Sequence, residues 1–393
     1  RSHVDYLLLS YVIHYQGLSI PHIAAGRNLN MPIIGSILRS GGAFFIRRSF
    51  RGNELYSTVM FEYLAKLISV GTPIEYFIEG GRSRTGKLLM PKLGLLSILL
   101  NAFRNGACED MIIVPIYIGY DRVLEEKAYL QELEGGKKEP ETLKGVIKAR
   151  KFLSKRYGKI YIQFHEPISM NELLDKLGIP LTDMKPKEQN ALCRNLGYRI
   201  INAINRSAVV TAYGLVAGAI LNCSKERFSY DQIMSIVETY LKHLTTQDAK
   251  LADTLILDQV RAVEHALDAF VQSKFIEPVS KDKSIPHPKR SYLVNAARRP
   301  SLEYYKNNCI AFFIPAAFTA QAILEKDAFQ FSATDLHADY RFLQNFFKFE
   351  FAYDLDQTPE FKVRKSIKAF IDDAILMPHQ TIPDTYNVTS SGF

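Results

Sequence analysis

From Asp5 to about Ile168, short apolar runs alternate with longer stretches whose apolar residues recur at helical spacing. After Pro167 the alternation stops. Gly42–Ile46, Ile74–Ile78, Met111–Ile118 and Ile160–Phe164 are rich in β-branched and aromatic residues and read as strands. Leu55–Ile68 and Leu93–Phe103 between them carry the helical period. Strands that alternate with helices predict an α/β layer with a mixed, largely parallel sheet flanked by helices. Asn190–Asn205, Tyr230–Leu244, Leu251–Phe270 and Phe342–Phe351 are helical patterns, so a mainly α-helical C-terminal region follows. The expected division is an α/β domain over 1–205 and a mainly helical region over 206–393. Lys281–Pro300, with its three prolines, reads as a loop or hairpin. The helix–helix–hairpin order from Tyr230 to Pro300 suggests a winged-helix module, taken here as a structural annex. No internal repeat is apparent in the sequence.

Composition removes several classes. At 393 residues, with 47% hydrophobic and 23% charged residues, the chain has material for two or three packed units and is neither disordered nor fibrous. Its four cysteines are far apart and form no C-x-x-C pair, which argues against a disulfide framework or a zinc ribbon and for a reducing compartment. Ser207–Ser224 and Asn307–Leu324 are uncharged and close to the ~20 residues that a bilayer span requires. Polar residues and glycine in the first, and Pro315 and Gln321 in the second, make buried core helices the better expectation. The chain opens on Arg1 with no charged leader and reads as a piece of something longer.

Four stretches in the first 125 residues carry the chemistry: RSHVD (1–5), GAFFIRR (42–48), FIEGGRSRTG (77–86) and VPIYIGY (114–120). The second and third are apolar strands that end abruptly in arginine or glycine. Strand ends are where ligands bind in open α/β sheets, and arginine's planar fork suits phosphate oxygens. Basic residues and no acidic ones lie between Ser40 and Phe50, and again between Gly80 and Pro91. Arg47, Arg48, Arg82 and Arg84 therefore form a candidate phosphate clamp. GRSRTGK matches G-x-x-x-x-G-K, but Leu88 stands where a P-loop needs Ser or Thr. Ser83 fails as a nucleophile elbow because Thr85 replaces the required glycine. Glu79 can accept a substrate hydroxyl, hold Arg82, or form a structural salt bridge. By spacing alone His3 is a candidate base with Asp5 as its partner. His14, His22 and His165 lack metal-ligand spacing. Lys137–Lys159 has nine basic residues against Glu139 and Glu141 and reads as a basic amphipathic helix, suited to an anionic membrane surface or an acidic protein. The net charge of +8 allows nucleic-acid binding, but the arginines cluster at strand ends and not along a stripe, so no nucleic acid is expected.

Together the four stretches resemble the acyltransferase blocks of the glycerol-3-phosphate acyltransferase family, most closely its bacterial type, in order and at fitting spacing. The similarity is dense from Arg1 to about Ile168. The family's first block is His-x-x-x-x-Asp, and counting back from Asp5 puts its histidine immediately before Arg1, so His3 falls inside the motif. The resemblance thus implies a fragment of a larger enzyme whose base lies upstream. It implies direct transfer of a fatty acyl group from acyl-CoA or acyl-acyl-carrier protein to the sn-1 hydroxyl of glycerol 3-phosphate, with no metal and no cofactor. Asp5 would orient the base and stabilise its charged form. Arg48, Arg82 and Arg84 would hold the phosphate, while Glu79, Gly80, Gly81 and Ser83 shape the acceptor site. Pro115 and its neighbours would form the acyl-donor side. Peripheral attachment at the cytoplasmic face of a bacterial inner membrane is the implied location. The alternatives are dihydroxyacetone phosphate as acceptor, or a non-catalytic, phosphate-binding module at a membrane surface.

Overall fold

The computed structural model describes residues 4–47, 52–81, 83–122, 158–180, 184–223, 226–280, 282, 284–326 and 328–390. The chain divides into two compact units. The first contains 1–82 and 91–207, and the second 83–90 and 208–393.

The first unit opens with α1 (Asp5–Tyr15), β1 (His22–Gly26), α2 (Ile34–Ser40), β2 (Ala43–Ile46), α3 (Glu54–Ser69), β3 (Ile74–Glu75) and α4 (Leu93–Arg104). The three strands form a parallel sheet in the order β2-β1-β3, with Ile23 opposite both Ala43 and Glu75. The sequence reading missed β1, since His-Ile-Ala-Ala-Gly is poor in β-formers and becomes a strand only because both neighbours pair with it. It also carried β3 through Ile78, whereas pairing stops at Glu75 and the chain turns. α3 starts where the Asn53 side chain accepts the Tyr56 N–H at 3.0 Å, a cap of typically about 1 kcal/mol. Its apolar face sets Met60 and Leu64 against Leu95 and Leu99 of α4 and Phe44 of β2. Truncation of the fully buried Leu64 to Ala would cost about 2–5 kcal/mol.

β4 (Ile112–Ile113), β5 (Ile116–Tyr120), β6 (Ile160–Phe164), β7 (Ile168–Ser169), α5 (Met170–Leu177) and α6 (Pro186–Arg206) complete this unit. The expected strand Met111–Ile118 is thus two strands: Pro115 has no N–H to give a ladder and breaks the run. β4 pairs with β7 and β5 with β6, both antiparallel. Parallel and antiparallel pairs together make the expected mixed α/β architecture. The basic segment 137–159 lies, but for its last two residues, outside the described residues.

The second unit contains β8 (Val209–Val210), α7 (Ala212–Asn222), β9 (Arg227–Ser229), α8 (Tyr230–Thr246), β10 (Lys250–Leu251), α9 (Asp253–Leu257), α10 (Gln259–Gln272), β11 (Ile276–Pro278), β12 (Ser291–Val294) and α11 (Arg299–Asn307). Then come α12 (Ile314–Glu325), β13 (Gln330–Ser332), α13 (Ala333–Phe346), α14 (Pro359–Asp372), β14 (Leu376–Pro378) and β15 (Thr385–Val388). The pattern Leu251–Phe270 is broken at Asp258, whose side chain caps α10 through the Arg261 N–H. The helix expected over Phe342–Phe351 is instead α13, which begins at Ala333 and ends at Phe346. The two uncharged runs supply α7, buried along most of its length, and α12. Among the described residues no helix is long and apolar enough to cross a membrane.

This unit also overturns the reading that no repeat exists. β9-α8-α10-β11-β12 and β13-α13-α14-β14-β15 are two copies of one winged-helix-like topology, each ending in a hairpin that pairs with the module's first strand. Phe228 and Ser229 face Tyr292 and Ser291, while Phe331 and Ser332 face Tyr386 and Thr385. Pro278 lies opposite Tyr292, and Pro378 opposite Tyr386. Ser229 and Ser332 each cap the following helix in a capping box. Lys274 and Ala374 both take a left-handed conformation before the hairpin. Few letters match because the topology needs only a Phe-Ser start, a tyrosine facing it and a proline at the strand end.

Candidate active site

The C-terminal ends of the parallel strands carry the basic residues. β1 runs into Arg27, β2 into Arg47, and α2 supplies Arg39. These three with Asn30, Phe45 and Tyr56 line a cavity of about 360 Å³, and among the described residues no acidic one lines it. Tyr56 holds the β2 end in place: its hydroxyl accepts the Arg47 N–H at 3.0 Å, and the Arg47 guanidinium lies 4.8 Å over its ring. Arg39 packs its guanidinium 5.5 Å from the Phe45 ring. Arg47 shares this concavity with Arg27 and Arg39, which the sequence reading did not single out. Arg27 follows an apolar strand just as Arg47 does, and that signature could have found it. Arg48 and Arg82 lie outside the described residues, as does His3.

Asp5 is 1% exposed at the first turn of α1, where the helix amides favour a negative charge. The Tyr120 hydroxyl, at the end of β5, donates to its Oδ1. This joins the first and fourth sequence blocks through a residue that the sequence reading quoted but gave no role. Pro115 sits at the other end of β5, roughly 16 Å along the strand from Tyr120. There its carbonyl accepts the His165 N–H at 2.9 Å. The next residue after Tyr120, Asp121, accepts the Lys159 N–H at 2.8 Å and the Tyr161 hydroxyl at 3.2 Å. Burial pushes its carboxyl up against those two hydrogen bonds. Gly158 must be glycine: its φ is +86°, and a Cβ would come within 2.6 Å of Asp121 Cβ. The β5–β6 ends, and Tyr120 with them, are thereby pinned.

A second carboxyl, Glu75, was also missed. It closes β3, is 9% exposed, and neither of its oxygens has a hydrogen-bond partner. Burial first, and the charge of Asp5 second, raise its pKa from 4.5 to about 7.

The third block is divided. Glu79, half-buried, and the exposed Gly80 and Gly81 belong to the first unit. Gly80 has φ +60° and a Cβ there would meet Lys92 Cγ at 2.7 Å, while the Lys92 N–H donates to the Ile78 carbonyl at 2.8 Å. Ser83 to Met90 belong to the second unit. Ser83 is fully buried with its Oγ unpartnered, and Arg84 is exposed. Asn307 of α11 donates to the Thr85 carbonyl at 2.8 Å, and Lys87 pairs with Glu350 at 2.7 Å. A cleft of about 470 Å³ between α3 and α4, mainly apolar in its surface, is lined by Ser57, Thr58, Phe61, Gly94, Ser97 and Ile98. Among the described residues no three His, Cys, Asp or Glu side chains converge as a metal site would need.

A buried, hydroxyl-bound aspartate and an arginine-lined cavity on an α/β unit fit an acyltransferase. Residues 1–119 match the acyltransferase family model, and residues 129–393 match that of the glycerol-3-phosphate acyltransferase C-terminal region. A glycerol-3-phosphate acyltransferase of Pseudomonas fluorescens (strain Pf0-1) is 38% identical over 330 residues, covering 81% of this chain and 38% of that protein. One from Pseudomonas putida (strain KT2440) is 37% identical over 353 residues, covering 88% and 42%. One from Ectopseudomonas mendocina (strain ymp) is 45% identical over 247 residues, covering 61% and 30%. The chain belongs to the glycerol-3-phosphate acyltransferase family. It spans about two fifths of the length of the first two of these relatives.

Proposed function

We propose that the enzyme containing this chain transfers a fatty acyl group from a thioester, acyl-CoA or acyl-acyl-carrier protein, to the sn-1 hydroxyl of glycerol 3-phosphate. The base is the histidine that the family's first block places five residues before its aspartate. It takes the hydroxyl proton as the oxygen attacks the thioester carbonyl. The C–S bond then breaks and the thiolate leaves with the proton. Asp5 holds the imidazole and balances its positive charge, and a positioned base of this kind is worth about 10²–10⁴ in rate. Tyr120 fixes Asp5 by its hydrogen bond.

The phosphate goes to the arginines. Arg48, Arg82 and Arg84 are assigned to it from the blocks, and Arg27, Arg39 and Arg47 line a cavity beside β1 and β2. Glu79, Gly80, Gly81 and Ser83 shape the acceptor site, and Pro115 contributes to the donor side. The cleft between α3 and α4 suits the acyl chain, because it is mostly apolar and open. The observation that carries this reading is the buried Asp5 held by Tyr120 in a chain of this family. Its test is transfer of a long-chain acyl group to labelled glycerol 3-phosphate in detergent micelles. The chain is assayed beside a version extended upstream through the expected histidine. Activity in the extended form is the expected result. Activity in neither, with donor and acceptor varied, rejects it.

We also infer peripheral attachment to an anionic bilayer at the cytoplasmic face of the inner membrane. The support is the net charge of +8 and three exposed phenylalanines at and just beyond the end of α13, Phe342, Phe346 and Phe349.

A further inference from the structure

Glu75 is a buried ionisable group of the first unit that the reaction above leaves unused. It ends β3 beside Ile23 of β1, and strand alternation turns the neighbouring His22 to the other face. Both carboxyl oxygens are enclosed and lack a donor. The charged group that acts on it is Asp5 on α1. The two acids are unequally provided. Asp5 has the Tyr120 hydroxyl and the first turn of a helix, and Glu75 has neither. An enclosed carboxyl without donors, repelled by a second carboxylate, ionises only at a cost, so Glu75 keeps its proton to higher pH.

We propose that Glu75 is a positioning residue: while it holds its proton, this buried acid leaves Asp5 the single negative charge under the catalytic imidazole. This rests on the reading that Asp5 orients that imidazole. A second carboxylate there would hold the imidazolium proton more tightly and remove free base from the working range.

The test compares wild type, Glu75→Gln and Glu75→Leu in the full-length enzyme, with kcat/KM followed between about pH 5.5 and 9. Gln imitates the neutral acid and cannot ionise. Its rising limb is expected to move to lower pH, because the extra charge that appears in wild type on raising the pH is gone. Leu, equally unable to ionise, is expected to move the limb the same way with little change in KM for the acceptor. A Gln profile that superposes on wild type overturns the proposal. If Leu does not fold, the Gln profile decides alone. Thermal melting of this chain needs no substrate and keeps the two readings separate: Glu75→Gln should remove a loss of stability on going from about pH 5 to 8. If the melting changes so but the full-length enzyme transfers no acyl group, the proposed activity fails and with it the positioning role. Transfer with an unshifted Gln profile sinks the role of Glu75 alone.

Discussion

Replacing Asp5 by Ala should lower kcat of the active enzyme by two or more orders of magnitude with a modest effect on KM, since the interaction is strongest once the imidazole is charged. Unchanged turnover would remove Asp5 from the mechanism. Tyr120→Phe should do less, about tenfold in kcat, because the aspartate stays while its donor goes. Steady-state kinetics with glycerol 3-phosphate varied separate these from the phosphate contacts. Arg47→Ala should instead raise KM for the acceptor and leave kcat within a few-fold. Glu75 has a consequence for stability. It binds its proton more tightly in the folded chain than at its ordinary value of 4.5, so the benefit is complete at low pH and lost as pH rises through about 7. At pH 8 Glu75→Gln should therefore be more stable than wild type by about 3 kcal/mol, and near pH 5 that advantage should largely vanish, as urea unfolding would report.

At the scale of elements, what was legible depended on whether the local pattern and the tertiary pairing agreed. α3 and α4 were readable because their apolar period matches the face that packs. β3 was over-extended because Tyr76–Ile78 is as apolar as a strand while no neighbour pairs with it. Asp5 was singled out through a motif and Arg47 through charge at a strand end, while Arg27 and Arg39 were passed over. Glu75 and Tyr120 were not legible, since an acid in an apolar run and a tyrosine at a strand end gain their meaning only through Asp5 of α1. The third block's last glycine is of the same kind. Gly86 has φ +83°, and a Cβ would run into the carbonyl oxygen of Tyr304, which cannot swing away. Gly86→Ala should cost at least about 2 kcal/mol, a loss visible as a lowered urea midpoint.

For the whole molecule, attachment to lipid is the property to measure. Phe342 and Phe346 stack at 6.1 Å and Lys348 sits 5.2 Å over Phe349, so rings and a cation are exposed together at the end of α13. Changing the three phenylalanines to serine should reduce co-sedimentation with vesicles containing anionic lipid by about tenfold or more, with melting temperature nearly unchanged. Equal binding by the triple variant would move the attachment elsewhere on the surface.

The paired winged modules carry a liability for the chain as it is made. Each hairpin accepts its own Phe-Ser strand in the same register as the other, with a tyrosine waiting opposite the phenylalanine. During synthesis the first hairpin closes before the second copy of its partner strand emerges, and vectorial emergence keeps the copies sorted. Released from denaturant all at once, both strands compete for both hairpins, and exchanged, kinetically trapped chains are the expected by-product.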